Sequence, residues 1–264
     1  GAGDGDYGRA YAVAFGVLVD VAATAANWLL FYVLLSVFYH VACPAFVAVW
    51  RCAFPHSPAN HFSAALQREQ ARMSRLAFPV YCLVPTVGEW CRRHGMSRVC
   101  GHGGGPPCNA SALHVAASVV AYCVLVEYLV FHVHYYWLHK SRWGKVALNH
   151  ALHHRYKRAQ QMHAWSGYAF EAVDGAAQGV PFVLATLVVP VPYHFYMAAF
   201  AVTGVWTLYI HCYNPKLPWP LMGSDYHFVH HRYNWYNFGL WTRTFDYLHG
   251  TLKAPDDKTA KWHD

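Results

Sequence analysis

Two stretches of the chain are apolar from end to end rather than on one face. Tyr11 to Tyr39 (YAVAFGVLVDVAATAANWLLFYVLLSVFY) contains a single acid, Asp20, and Ala112 to Leu138 contains Glu127 as its only acid. About 20 mostly apolar residues carry a helix across the hydrocarbon of a bilayer, so each stretch is predicted to span. A third apolar run, Gly179 to Ile210, is cut by Pro190-Val191-Pro192. Proline removes a backbone donor and ends a helix, so this run predicts a helical hairpin that enters the membrane and returns to the side it came from. Val41 to Phe54 and Ala77 to Trp90 are shorter, and each suits a half-span, a re-entrant piece or an interfacial helix. The predicted architecture is all-α: an integral membrane protein with about four transmembrane helices.

Composition agrees with this pattern. Of the 264 residues 56% are hydrophobic, 17% aromatic and only 12% charged, about half the charge that a soluble domain uses to cover its surface. No repeat, low-complexity tract or polar linker divides the chain, so residues 1–264 are expected to form one membrane-embedded domain. The net charge of +7 is concentrated beside the apolar runs. Arg51, Arg68, Arg72 and Arg75 precede the segment at Ala77, and Lys140, Arg142, Lys145, Arg155, Lys157 and Arg158 follow the span ending at Leu138. Such flanks favour the cytosolic side and need no nucleic acid to explain them, because attraction to anionic lipid suffices. The eight cysteines contain no Cys-x-x-Cys pair. Cys43, Cys52, Cys82 and Cys123 lie in or beside apolar segments and read as small buried hydrophobes. Cys91, Cys100 and Cys108 share a loop that would be lumenal, where a disulfide and a glycosylated Asn109-Ala110-Ser111 sequon are both possible.

Histidine changes the picture most. The segment SDYHFVHHRYNWYNFG places His227, His230 and His231 at the same His-x-x-His-His spacing as His150, His153 and His154 in NHALHHRYKR. On a helix, positions i, i+3 and i+4 share a face, so each triplet reads as one side of a metal cage. In FHVHYYWLHK, His134 and His139 are five apart, about 140° on a regular α-helix, whereas His132 and His139 are seven apart and share a face. Geometry therefore prefers His132 unless the helix loosens there. His211, at the end of the last apolar run, is a ninth candidate. By contrast His40, His56, His61, His94, His102 and His194 stand alone and read as hydrogen-bonded or interfacial side chains.

Eight or nine imidazoles exceed the needs of one tetrahedral zinc and suit two metal ions. Iron with open positions serves O₂ activation, and the apolar helices beside it offer a slot for a lipid. The residues thus point to a membrane di-iron oxidase or oxygenase. The rival class, a His-rich metal transporter, places ionisable ligands near the middle of its spans, whereas these clusters sit at span ends among Lys and Arg.

The order His-x(3 or 4)-His, His-x-x-His-His, His-x-x-His-His resembles the fatty acid hydroxylase and sterol desaturase superfamily of membrane di-iron enzymes. Finer features are similar to the sterol C5-desaturases, or lathosterol oxidases, of plant and algal type. They are Leu83-Val84-Pro85-Thr86-Val87-Gly88-Glu89, Ala172-Val173-Asp174-Gly175, Gln178-Gly179-Val180-Pro181, Trp206-Thr207 and Trp219-Pro220-Leu221-Met222-Gly223. The tail through Tyr236, Asn237, Phe238, Gly239 and Asp246 to Gly250-Thr251-Leu252 continues the likeness, which covers about residues 65–255, with the His boxes in about 115–255. In that family an acid stands seven positions before the first box histidine, as Glu127 stands before His134; this favours His134 with His139, one more intervening residue than in the nearest relatives. The resemblance implies two iron ions facing the cytosol at the endoplasmic reticulum membrane and electrons from cytochrome b5. It also implies O₂-dependent removal of two hydrogens across C5 and C6 of a Δ7-sterol. Metals at the cytosolic ends of the spans, beside Tyr135, Tyr136, Trp137, Trp235 and Tyr236, would sit at about the depth of a sterol's ring B, and the same aromatics read equally as an interfacial belt. Two positions depart from the family. Glu171 stands where a histidine is usual, as a substitute ligand or a structural acid, and Pro215 replaces a second histidine four residues after His211. Desaturation and hydroxylation share hydrogen abstraction, so a sterol or fatty-acyl/sphingolipid hydroxylase is the alternative within the family.

Overall fold

The structure, a computed structural model, describes residues 3–102, 107–108, 111–212 and 217–255, with side chains from residue 13 onward. The Asn109-Ala110 part of the sequon and Pro215 lie outside the described residues. Among the described residues nine α-helices carry the fold: α1 (Gly3–Val37), α2 (Cys43–Ala53), α3 (Ala64–Tyr81), α4 (Leu83–Arg93), α5 (Ala112–His132), α6 (Ala172–Val188), α7 (Tyr193–Ile210), α8 (Ser224–Tyr233) and α9 (Thr244–Leu248). Two two-residue strands, β1 (Val99–Cys100) and β2 (Val191–Pro192), pair in parallel.

Among the described residues two helices are long and apolar enough to cross a membrane, Val13–Ala53 and Ala112–Lys140; Ala172–Val188 is apolar but shorter. The first runs further than its sequence suggests, because α2 continues α1 through a π-helical turn at Phe38–Ala42. Pro44 lies in the first turn of α2, where its missing N–H coincides with the looser i to i+5 pattern of the preceding turn. Val41 to Phe54 is therefore the end of a long helix and not a separate piece. Outward faces remain apolar: Phe15 is 70% exposed on α1, Leu113 79% on α5 and Val202 63% on α7. Hydrocarbon solvates such faces, and water does not.

The two acids of the long helices are both partnered, as burial in an apolar setting requires. The Asp20 carboxylate accepts from Arg93 Nη2 at 3.0 Å and Trp90 Nε1 at 3.1 Å, which ties α1 to α4. The Glu127 carboxylate accepts from the backbone N–H groups of Trp241 at 3.0 Å and Thr242 at 2.8 Å, and more weakly from Leu240. One aromatic-rich core gathers Tyr39, Trp50, Phe78, Trp165 and Leu208 where α1, α2, α3 and α7 meet; a second gathers Tyr122, Val126, Phe182 and Tyr196 between α5, α6 and α7.

The predicted hairpin is α6 and α7, turned by Val189 to Pro192. At that turn β2 pairs with β1, whose Cys100 is in a disulfide with Cys108, while Cys91 stays free and buried. The other end of the hairpin, Glu171 and His211, faces the three histidine boxes. Both triplets thus lie at the same end of the helical bundle, opposite the disulfide.

Candidate metal centre

The first box is presented by a change of helix type. From Val133 to Lys140 the last helix of the α5 segment is π-helical, so residues five apart share a face. That brings His134 and His139 together, ring centroids 5.0 Å apart, and leaves His132 outside, against Tyr128 and Tyr136. The loosening that the sequence left open occurs, and it brings His134, rather than His132, beside His139. The chain then doubles back so closely that a Cβ on Gly144 would overlap the Trp137 carbonyl. Asn149, at φ 49°, makes the left-handed turn that delivers His150.

The second box, His150–Arg155, is a 3₁₀ helix, and the third lies on α8. Both triplets turn inward, and each is divided between two groups of candidate ligands. His134, His139, His150, His154 and His230 form one group, and His153, His211, His227 and His231 a second; within each group the candidate ligand atoms lie within 4.8 Å of one another. Each box therefore gives its i, i+4 pair to one group and its middle histidine to the other. The second box makes this division on a 3₁₀ helix and the third on an α-helix, so helix type alone does not set it.

The hydrogen bonds fix which nitrogens point inward. His134 Nδ1 donates to the Phe238 carbonyl at 2.9 Å, His211 Nδ1 to Thr207 O at 2.8 Å and His230 Nδ1 to Tyr236 O at 2.7 Å. His150 Nδ1 donates to both oxygens of Asp174, at 2.9 and 3.0 Å, and that carboxylate is fully buried. With their Nδ1 protons so committed, His134 and His150 turn bare Nε2 lone pairs toward each other at 3.2 Å. Two facing lone pairs repel, and a shared cation removes the repulsion. The other Nε2 pairs, His154 to His150, His230 to His154, His227 to His211 and His211 to His153, lie 2.9, 3.1, 3.1 and 3.3 Å apart. Imidazoles on one metal at about 2.1 Å and a right angle would stand about 3.0 Å apart, so the donor set fits a metal. Burial, reinforced by the neighbouring imidazoles, holds His153, His154, His227 and His231 well below the usual histidine value, and His230 is lowered by burial to about 3. His153, His154, His227, His230 and His231 are thus kept neutral and able to donate lone pairs.

Glu171 is not part of either group. Its carboxylate accepts from Val173 N at 2.8 Å and caps α6. The six lone histidines, His40, His56, His61, His94, His102 and His194, are all exposed. One buried histidine escaped the sequence reading: His163, stacked on Phe62 at 4.1 Å and outside both groups, belongs to no spaced pattern that would betray it. Three carboxylates supporting the cage were visible only as acids in quoted motifs. Asp174 orients His150. Glu127 grips residues 240–242, and Asp246 accepts from Phe238 N and Gly239 N at 2.8 Å each, so the two acids hold the segment whose Phe238 carbonyl orients His134. Burial raises Asp246 to about 6 despite these donors.

A cavity of about 500 Å³ ends on this cage. Its floor is His134, His150, His153, His211 and His227, and its walls are mostly apolar, with Phe31, Phe38, Phe170, Phe182 and Phe200 among them. The volume lies within the range of sites for small ligands.

A model of the fatty acid hydroxylase family matches residues 119–251, which contain all three boxes and both hairpin helices. The chain belongs to this family. It is 31% identical over 196 residues to the Delta(7)-sterol-C5(6)-desaturase of Nicotiana tabacum, covering 73% of this chain and 69% of that protein. It is 28% identical over 162 residues to the lathosterol oxidase of Mus musculus, covering 56% of this chain and 49% of that one. It is also 28% identical over 127 residues to the Delta(7)-sterol 5(6)-desaturase of Leptosphaeria maculans, covering 48% and 35%. The chain spans about two thirds of the length of the plant relatives that it matches. No solved structure matches it.

Proposed function

We propose that the chain is a membrane di-iron oxidoreductase that introduces the C5–C6 double bond into a Δ7-sterol, using O₂ and electrons from cytochrome b5. The observation that carries this reading is the apolar cavity whose floor is a cage of buried, inward-facing imidazoles. The likeness to Delta(7)-sterol-C5(6)-desaturases supplies the substrate class.

In this reading one iron is held by His134, His139, His150, His154 and His230 and the other by His153, His211, His227 and His231. When bound, the iron pair supplies the O₂ activation that breaking an unactivated C–H bond requires. The protein holds the rest in place. Asp174 and the Phe238, Tyr236 and Thr207 carbonyls lock the imidazoles in the tautomer that presents Nε2. The phenylalanine walls exclude water and align a flat apolar substrate over the floor.

The reading includes one domain over residues 1–264, about four spanning helices and a cytosol-facing cage in the endoplasmic reticulum membrane. Two features support that orientation. Lys140, Arg142, Lys145, Arg155, Lys157 and Arg158 surround the histidine end. The Cys100–Cys108 disulfide lies at the opposite end, as an oxidising lumen would favour. The same basic residues offer a positive rim to an acidic electron donor. A transporter would instead set its ligands along a polar path through the spans.

The test is expression in a yeast strain lacking its own sterol C5-desaturase, with sterols analysed by mass spectrometry. A new 5,7-diene is expected. A new hydroxyl on a sterol or acyl chain would replace the desaturase by a hydroxylase of the same family, and an unchanged lipid profile from metal-loaded protein would refute both.

A further inference from the structure

The walls of the cavity contain few polar side chains: Tyr81, Tyr168, Gln178, Thr203 and Thr207. The Tyr168 hydroxyl lies against Gly204, seven residues before His211 on α7 and so about 10 Å along the helix from the cage. Two others have given their protons and keep only hydroxyl lone pairs, weaker acceptors than an amide oxygen. The Tyr81 hydroxyl donates to Tyr168 O at 3.3 Å, and the Thr207 hydroxyl to Thr203 O at 2.9 Å. Gln178 is half committed: its Nε2 donates to Asp174 Oδ1 at 3.1 Å, while among the described residues its Oε1 accepts no hydrogen bond. The Thr203 hydroxyl has no partner, but it lies on α7 eight residues before His211, about 12 Å back along the helix from the cage.

A Δ7-sterol brings one polar group into such a cavity, the hydroxyl on C3, and only C4 separates C3 from the C5 that loses hydrogen. If C5 lies over the histidine floor, the hydroxyl must lie close to that floor as well. An unpaired hydroxyl there would be costly, so an acceptor near the cage is required. Gln178 satisfies the requirement: it is one turn beyond Asp174 on α6, and Asp174 holds the floor residue His150.

We infer that Gln178 is a specificity-determining residue whose Oε1 accepts the substrate's C3 hydroxyl. The inference rests on the sterol desaturase reading and assigns the orientation within it: ring A lies at the Asp174 side of the floor, and the side chain points away between α1 and α7. The link through Asp174 to His150 makes Gln178 a structural support too, so its test must separate the two roles.

The experiment measures kcat/KM of the metal-loaded enzyme, in membranes with its electron donor, for a Δ7-sterol and for the 3-deoxy analogue of that sterol. The wild type is expected to favour the hydroxylated substrate about tenfold, the factor carried by one neutral hydrogen bond, with the difference mainly in KM. In Gln178→Met, which keeps length and removes the acceptor, the two substrates should become equal within about twofold. Loss of support to Asp174 would slow both substrates alike and leave their ratio untouched. Thr203→Val should keep the wild-type preference. A Gln178→Met enzyme that still favours the hydroxyl tenfold, a wild type with no preference, or a preference lost in Thr203→Val alone would each overturn the inference while leaving the desaturase reading intact. Failure of the wild type to convert any Δ7-sterol would instead refute that reading and, with it, the inference.

Discussion

The contact between Asp174 and His150 offers the sharpest test of the cage. Asp174→Asn keeps the volume of the side chain but removes its charge. Both carboxylate oxygens now receive the His150 Nδ1–H, at 2.9 and 3.0 Å, in a site closed to solvent. A hydrogen bond to a charged partner contributes about 1.5–3 kcal/mol, whereas one to a neutral amide contributes about 0.5–1.5 kcal/mol. The difference, about 1–2 kcal/mol, is a factor of roughly 5 to 30 in an equilibrium constant. The amide also has a second way to fail. If its NH₂ turns toward His150, the imidazole must shift its proton to Nε2 and loses the lone pair that faces His134, and the loss then approaches the hundredfold seen for removal of outer-sphere partners of metal ligands. Metal retention by the purified variant, measured by elemental analysis against a graded series of chelator concentrations, should fall by about 10- to 100-fold. Glu171→Gln, one helical turn earlier, is the matched control. Its carboxylate caps α6, so it should cost at most about 1 kcal/mol of stability and leave metal retention within twofold. An Asp174→Asn protein that retains metal like the wild type, or a Glu171→Gln protein that loses it equally, would refute this account of the cage.

Removing a cage imidazole, as in His153→Ala, should abolish turnover and lower bound metal, whereas His56→Ala and His102→Ala, at exposed positions, should leave both unchanged; product analysis and metal content decide. The depressed imidazoles of His153, His154, His227 and His231 give stability a definite pH dependence. Above about pH 6.5 they are neutral whether folded or not; below it the unfolded chain takes up protons that the folded cage refuses. Thermal stability and metal content should therefore both fall between pH 7 and pH 5, and a flat profile would contradict the burial of these groups. Glu127→Gln replaces an acceptor of several N–H bonds by an amide that accepts on one side only, and should lower the melting temperature by about 4–8 °C, for a cost of about 2 kcal/mol. Deleting Tyr136 from the π-helical turn shortens the first box to the four-residue spacing that an α-helix satisfies, and should retain far more metal than inserting one residue there. Equal loss in both would show that the turn is not what aligns His134 with His139.

What the sequence made legible depended on whether the physics was local. The spans, the hairpin and the boxes follow from apolar runs, prolines and repeated spacings, all confined to short windows. The departures arise where a helix changes type. His134 and His139 look misaligned only on the assumption of 3.6 residues per turn, and the extra residue relative to the family's usual box is absorbed as π-helix. Likewise Val41 to Phe54 reads as a short separate piece, whereas the π-turn at Phe38–Ala42 joins it to α1. The division of each triplet between the two groups was hidden for a different reason, since periodicity says which side chains share a face but not which of two partners that face meets. Asp174, Glu127 and Asp246 were harder still, because each acts across 24, 115 and 8 residues respectively. An acid in an apolar run announces that something must satisfy it, yet only the folded chain shows what. The constraint does yield a rule for this molecule: its span acids Asp20 and Glu127 and the outer-sphere acid Asp174 are all saturated with donors, and none faces the cage as a ligand. Among the described residues the groups gathered to hold a metal are therefore all imidazoles. Charge on a bound metal would be offset by carboxylates at one remove, as Asp174 stands behind His150.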